Sequence, residues 1–201
     1  MEYVYLPLEQ EKIQKKGWIE VVCGSMFSGK TEELIRRLKR AEFAKQDIVV
    51  FKPRLDVRYS VSEVKTHNGC AVDSHAVDRS SDMLKHAEHA QVVGIDEAQF
   101  FDSELPMVLS ELANQGKRVI AAGLDMDYLG RPFGVMPNLI AMAEFVTKVH
   151  AICLHCGDLA LHSHRTTKSK KLVELGETDI YQPLCRQCFV KARAQNVANL
   201  K

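Results

Sequence analysis

The 201-residue chain is 46% hydrophobic and 26% charged, an ordinary globular composition that excludes disorder, collagen-like repeats and fibrous architecture. Its 27 basic and 26 acidic residues leave a formal charge of +1, which argues against a protein that coats nucleic acid. The balance is uneven: residues 1–144 carry 18 basic and 22 acidic groups, and residues 145–201 carry 9 and 4, so −4 is followed by +5.

The first ten residues lack a basic stretch followed by a long apolar run, so no signal peptide is expected. No apolar run approaches the roughly 18 residues of a membrane span. The expected compartment is the cytoplasm, where the six cysteines would stay reduced. Apolar runs at residues 18–23, 48–51, 92–95, 119–122 and 146–152 read as short, largely buried strands. Between the first two, residues 31–45 place Leu34, Ile35, Leu38 and Ala41 on one helical face. Residues 105–112 repeat the pattern, with Pro106 tolerable in a first turn and Gly116 a plausible stop. Strands alternating with helices predict an α/β fold with a mainly parallel sheet. Beyond residue 152 cysteines, histidines and charges replace that alternation, and the tail from Phe189 has helical potential. The expected division is an extension at 1–16, an α/β domain at 17–148, a cysteine-bearing domain at 149–190 and a tail at 191–201.

Gly24-Ser25-Met26-Phe27-Ser28-Gly29-Lys30-Thr31 satisfies G-x-x-x-x-G-K-[ST] between an expected strand and an expected amphipathic helix, the context that gives the pattern meaning. Glycines let the backbone curl so that its N–H groups face phosphate oxygens, and the helix N-terminus adds partial positive charge. Lys30 is expected to reach the β- and γ-phosphates and Thr31 to ligate Mg²⁺. The run at 92–95 ends in Asp96 and Glu97, and a buried parallel strand delivers its C-terminal end to the ligand crevice. Asp96 is thereby expected in the Mg²⁺ shell beside Thr31. Glu97 is expected to act as a base, deprotonating a substrate hydroxyl in a kinase or orienting water in an ATPase; the alternative is a surface acidic turn.

Cys153-x-x-Cys156 and Cys185-x-x-Cys188 are separated by 28 residues. Two thiolates from each turn would complete a tetrahedron around Zn²⁺ with no open position, a structural site. Redox pairs and unconnected buried thiols are the alternatives. His155, His162 and His164 lie nearby and are expected to be solvated or in contact with substrate. Cys23 and Cys70 are expected as small buried hydrophobes. Two rival functions use the same features. A P-loop ATPase or GTPase with a nucleic-acid-binding ribbon draws on the basic run Arg165, Lys168, Lys170 and Lys171, but no N-K-x-D guanine motif occurs. A non-enzymatic zinc ribbon leaves the phosphate loop and the strand-end acids unexplained.

GSMFSGKT at 24–31, DEAQFF at 96–101, LDMDYLGRPFG at 124–134 and the CxxC…CRQC pairs together resemble the zinc-containing cellular and bacterial (type II) thymidine kinases. The resemblance runs from about Gly17 to Phe189, with the motifs in the family's order. It implies a P-loop NTPase-like sheet with a small zinc-binding lasso. The implied reaction is transfer of the γ-phosphoryl group of ATP to the 5′-hydroxyl of thymidine, with deoxyuridine a secondary substrate, in nucleotide salvage. It implies Glu97 as general base, and Asp96, Ala98, Gln99, Asp56 and Arg58 near the nucleotide phosphates and metal. It further implies that a lasso at 159–184 reads the pyrimidine largely through the main chain of Leu172, Val173, Glu174, Leu175 and Gly176. Tyr181 packs on the nucleoside, and Met26, Phe100, Leu124, Tyr128, Phe133 and Ser163 complete the walls. A homotetramer, feedback inhibition by thymidine triphosphate, and no nucleic-acid or membrane partner are likewise implied. Two departures stand out. Ser163-His164-Arg165 replaces the family's T-x-R, a lost methyl worth about 1 kcal/mol of contact, so selectivity over deoxyuridine is expected to soften. The lasso centre, Glu174-Leu175-Gly176-Glu177-Thr178, replaces the more usual Val-Gly-Gly wording.

Overall fold

In the computed structural model, which describes residues 16–54, 63–65, 71–167 and 180–198, buried apolar strands alternate with helices from the first described strand onward. Strand β1 (Trp18–Gly24) runs through a tight loop into helix α1 (Lys30–Phe43), followed by β2 (Ile48–Pro53). A short antiparallel pair, β3 (Glu63–Lys65) and β4 (Ala71–Asp73), precedes β5 (His75–Val77) and the one-turn helix α2 (Met83–His86). Then come β6 (Val92–Ile95), α3 (Leu105–Asn114), β7 (Arg118–Leu124), α4 (Met136–Met142) and β8 (Phe145–Val149). The sheet has the order β5-β2-β6-β7-β1-β8 with every pairing parallel, as the alternation predicts.

Strand alternation sends successive side chains to opposite faces, and β1 shows the result. Ile19, Val21 and Cys23 pack with Leu105, Leu109, Leu112 and Leu139 on one face. Val22 packs with Leu34, Ile35 and Leu38 of α1 on the other. Each fully buried leucine contributes about 1.5–3 kcal/mol, so these rows hold the sheet between its helices. Glu20, on the α1 face, is buried but satisfied: it pairs with Arg37 at 2.7 Å and Arg118 at 2.6 Å. Helix α1 takes the predicted face inward and closes with Lys45 in the left-handed region at φ 56°. Helix α3 runs two residues beyond the predicted Leu112 to Asn114, and the turn reverses at Gly116, φ 84°.

The run at 146–152, expected as one strand, is two. β8 ends at Val149, and after His150 the chain enters β9 (Ala151–Ile152), which pairs antiparallel with β10 (Leu159–Ala160). The apolar run conceals a change of sheet. A second ribbon pairs β11 (His162–Arg165) with β12 (Tyr181–Leu184), and α5 (Arg186–Ala198) begins three residues ahead of the expected helical tail. Among the described residues no helix is long and apolar enough to cross a membrane.

Gly24 is where this architecture turns into a site. It pairs with Leu124 on one side and Val149 on the other, at φ 153°. A Cβ there would lie 2.2 Å from the Val149 carbonyl oxygen, so only glycine lets β1 end between its neighbours.

Candidate active site

The loop at 25–29 leaves the C-terminal end of β1 and curls through Phe27 at φ 62° before α1 begins. Its curl is closed by its own side chains: Ser28 Oγ and Lys30 Nζ each donate to the Ser25 carbonyl at 2.7 Å. Burial pushes the Lys30 ammonium pKa down, against the opposing charges of Glu97, Asp96 and Asp125. Those three acids come from the ends of two strands. Asp96 and Glu97 follow β6, and Asp125 follows β7. Asp125 was not singled out in the sequence, although the strand-end rule that finds Asp96 applies equally to it.

The Thr31 hydroxyl donates to the Asp96 carboxylate at 3.2 and 3.4 Å. Burial, and then the neighbouring Glu97 charge, push the Asp96 carboxyl up to about 7. A hydroxyl and a carboxylate converging beside a phosphate loop form an all-oxygen donor set, which suits a hard cation such as Mg²⁺.

Glu97 adopts φ 51° and ψ 41°, a left-handed conformation that costs a residue with a Cβ roughly 1–2 kcal/mol. The kink ends the strand and turns the chain into the short 3-10 turn Ala98–Phe100. Gln99 holds the result. Its Nε2 donates to Glu97 Oε2, and its Oε1 accepts from the Leu124 backbone N–H at 2.9 Å. Gln99 thus spends its side chain bridging Glu97 to the end of β7. Gly134, at φ 52°, lets the following loop lie against it; a Cβ there would sit 2.3 Å from the Gln99 carbonyl oxygen.

Both ribbons touch the loop at 25–29. Met26 N–H donates to Ser163 Oγ at 2.9 Å, and Ser25 Oγ lies 3.3 Å from the Ala160 carbonyl that accepts its proton. Phe100 and Phe133 meet edge to face with centroids 5.7 Å apart, while Tyr128 and Tyr181 converge on Arg165. Arg165, grouped by the sequence with Lys168, Lys170 and Lys171 as a basic run, is buried. His162 and His164, expected in solvent or against substrate, are buried on the ring of Phe189, stacked at 4.3 Å and edge-on at 6.0 Å respectively. Burial rules out the solvated alternative for the two histidines. Every residue of β11 is covered, with the serine and arginine on one face and the histidines on the other.

Cys153, Cys156, Cys185 and Cys188 bring their four sulfurs within 4.8 Å of one another. The Cys156 and Cys185 sulfurs are 3.6 Å apart, and the Cys188 N–H points at Cys185 Sγ at 3.5 Å. Four thiolate donors at such separations fit a tetrahedral zinc ion, with Zn–S near ~2.3 Å. His155 stands outside the cluster. Cys23 is buried as expected. Asp56, Arg58, Cys70, Lys168, Lys170, Lys171, Leu172, Val173, Glu174, Leu175 and Gly176 lie outside the described residues.

A sequence model of the thymidine kinase family matches residues 17–189. A thymidine kinase of Bacteroides thetaiotaomicron is 56% identical over 186 residues, 92% of this chain and 94% of its own length. One from Bacteroides fragilis is 57% identical over 182 residues, 90% and 92% of the two chains. One from Rhodothermus is 56% identical over 185 residues, 92% and 87%.

Proposed function

The chain belongs to the thymidine kinase family, and we propose that Glu97 takes the proton from the 5′-hydroxyl of thymidine while the loop at 24–31 holds the triphosphate of ATP. The protein is an ATP-dependent kinase that phosphorylates thymidine. The assignment of its residues rests on one observation above others. The phosphate loop, the Thr31–Asp96 pair and a Glu97 pinned by Gln99 all converge at the C-terminal ends of three consecutive parallel strands, β6, β7 and β1.

In this reading the Glu97 carboxylate accepts the hydroxyl proton, the freed oxygen forms a bond to the γ-phosphorus, and the bond to the ADP oxygen breaks. Lys30 neutralises charge on the transferring group, helped by loop N–H groups and the N-terminus of α1. Thr31 and Asp96 would hold Mg²⁺, which supplies charge neutralisation at the β- and γ-oxygens. Cys153, Cys156, Cys185 and Cys188 would hold a structural zinc that orders the ribbon. Ala98 and Gln99 support the Glu97 turn. Asp56 and Arg58 stand by the phosphates through the family pattern alone. The nucleoside is walled by Met26, Phe100, Leu124, Tyr128, Phe133, Ser163 and Tyr181, with 172–176 reading the base. Residues 17–148 form the catalytic domain and 149–190 the zinc-binding one. A homotetramer, a cytoplasmic location and inhibition by thymidine triphosphate, which carries base and phosphates in one molecule, complete the reading.

The test is ADP production across a panel of nucleosides and nucleic acids. Turnover that requires thymidine and ignores DNA and RNA is expected; turnover driven by a polymer instead would return the ATPase reading.

A further inference from the structure

Strand β11 carries a buried cation that phosphoryl transfer, as derived above, leaves unused. Arg165 is 3% exposed. Its guanidinium carbon lies 3.7 Å from the ring centroid of Tyr128 and 5.3 Å from that of Tyr181. Its Nε and Nη2 also donate to the Tyr181 hydroxyl, at 3.2 and 2.8 Å. Two residues distant in sequence thereby meet on one side chain. Tyr181 is the direct cross-strand neighbour of Arg165 on β12, and Tyr128 sits in the turn after β7.

Each partner is anchored elsewhere. The Tyr128 turn is tied by Asp127 Oδ1, which accepts from the N–H groups of Leu129 at 2.8 Å and Arg131 at 2.9 Å. β11 is tied to the phosphate loop through Ser163 and Met26. Arg165 is the piece between these anchors. A guanidinium is a flat fork: one face lies on an aromatic ring while its edge donates to an oxygen, which a lysine ammonium cannot reproduce. A buried charge needs such partners, and these contacts help to meet that need.

We propose that Arg165 is a positioning residue that fixes Tyr128 and Tyr181 relative to each other and so governs thymidine affinity rather than ATP affinity. This rests on the reading of those tyrosines as walls of the nucleoside pocket. The test is steady-state kinetics of the full-length, zinc-loaded enzyme, with thymidine and ATP varied separately, for R165M, Y128L and the double variant. Each single change is expected to raise the thymidine KM about tenfold, the scale of a desolvated cation–ring contact, and the ATP KM by less than about twofold. The double variant is expected to be less impaired than the two single effects combined, because both changes remove the Arg165–Tyr128 contact. A normal thymidine KM in R165M beside a raised one in Y128L overturns the positioning role and leaves the wall reading standing. A normal thymidine KM in Y128L overturns both. Equal rises for thymidine and ATP in R165M overturn the proposal as general damage. Should R165M not fold, R165K keeps the charge and stem; a thymidine-specific rise supports the role, and wild-type constants overturn it.

Discussion

Where the parallel sheet buries Leu34, Leu38, Leu105, Leu109, Leu112 and Leu139 against its two faces, the ribbons built from β9 to β12 bury far less. Their cluster among the described residues consists of Ala151, Cys153, Ala160, Leu184, Cys185, Phe189 and Ala192. Three alanines add little apolar area, and two members belong to the four-cysteine cluster. A region with so thin a core gains most from a cross-link such as a metal, whereas the sheet has an apolar cluster packed on each face. The difference teaches how labour is divided under the proposed function. Glu97, pinned by Gln99, sits on the packed sheet, and the part proposed to cover the nucleoside is gathered around the four cysteines.

The strongest test of that contrast is Cys185→Ser. It is expected to strip zinc and reduce thymidine phosphorylation more than about 100-fold while the sheet still unfolds as one cooperative unit; metal analysis beside thermal melts reads both. Full activity in zinc-free protein would break the comparison. Glu97→Gln strikes the sheet's side without touching its core. A fall in kcat of about 10²–10⁴-fold is expected, with ATP binding by calorimetry unchanged. Leu109→Ala inverts the pattern. About 2–5 kcal/mol of stability is expected to disappear from urea unfolding, with zinc content and thymidine KM preserved.

Smaller effects probe the joint and the rim. Ser163→Ala leaves the half-buried Met26 N–H without its acceptor and is expected to cost about 1 kcal/mol, read as a lower melting temperature shared by sheet and ribbon. If only the ribbon softens, the two are less tightly joined than the hydrogen bond implies. Last comes Glu33 on α1, whose carboxyl is held down to about 2, first by the hydrogen bond from Arg36 and then, against opposing burial, by Arg37. Because the folded value is depressed, this contribution is complete above the ordinary 4.5 and is lost as pH falls through about 2. Glu33→Gln is expected to remove about 1 kcal/mol or less at neutral pH and to flatten the stability profile across that acid window.

How far these regions were legible in the sequence follows from the same contrast. Packing leaves a periodic imprint, so α1, α3 and the buried strands could be read from Leu34, Leu38, Leu105 and Leu109. The phosphate loop and the cysteine pairs were legible because their chemistry fixes both residue type and spacing. What escaped depends on tertiary placement. The break at His150 lies inside an apolar run, and no local signal marks a strand that leaves one sheet for another. β3, β4 and β5 are three residues each, too short to show a period. The burial of Arg165, His162 and His164 was not legible because a polar four-residue strand carries no sign that both its faces are covered. Gln99 was expected near the nucleotide; its bridging role becomes visible only once β6 and β7 are neighbours.

The single residue between β8 and β9 has an evolutionary consequence. β8 pairs with β1 up to Gly24, and two residues after Val149 the chain is already in the first ribbon, whose Ala160 touches Ser25; Ser163 of the second ribbon holds Met26. Cut and graft sites therefore do not coincide with the visible seam between the sheet and the ribbons. A chimaera exchanging the ribbon at His150 inherits a foreign partner for the host's phosphate loop, and the smallest transplantable unit includes the loop as well as the metal knuckle. Substitutions on the two sides of that seam are expected to be accepted in pairs.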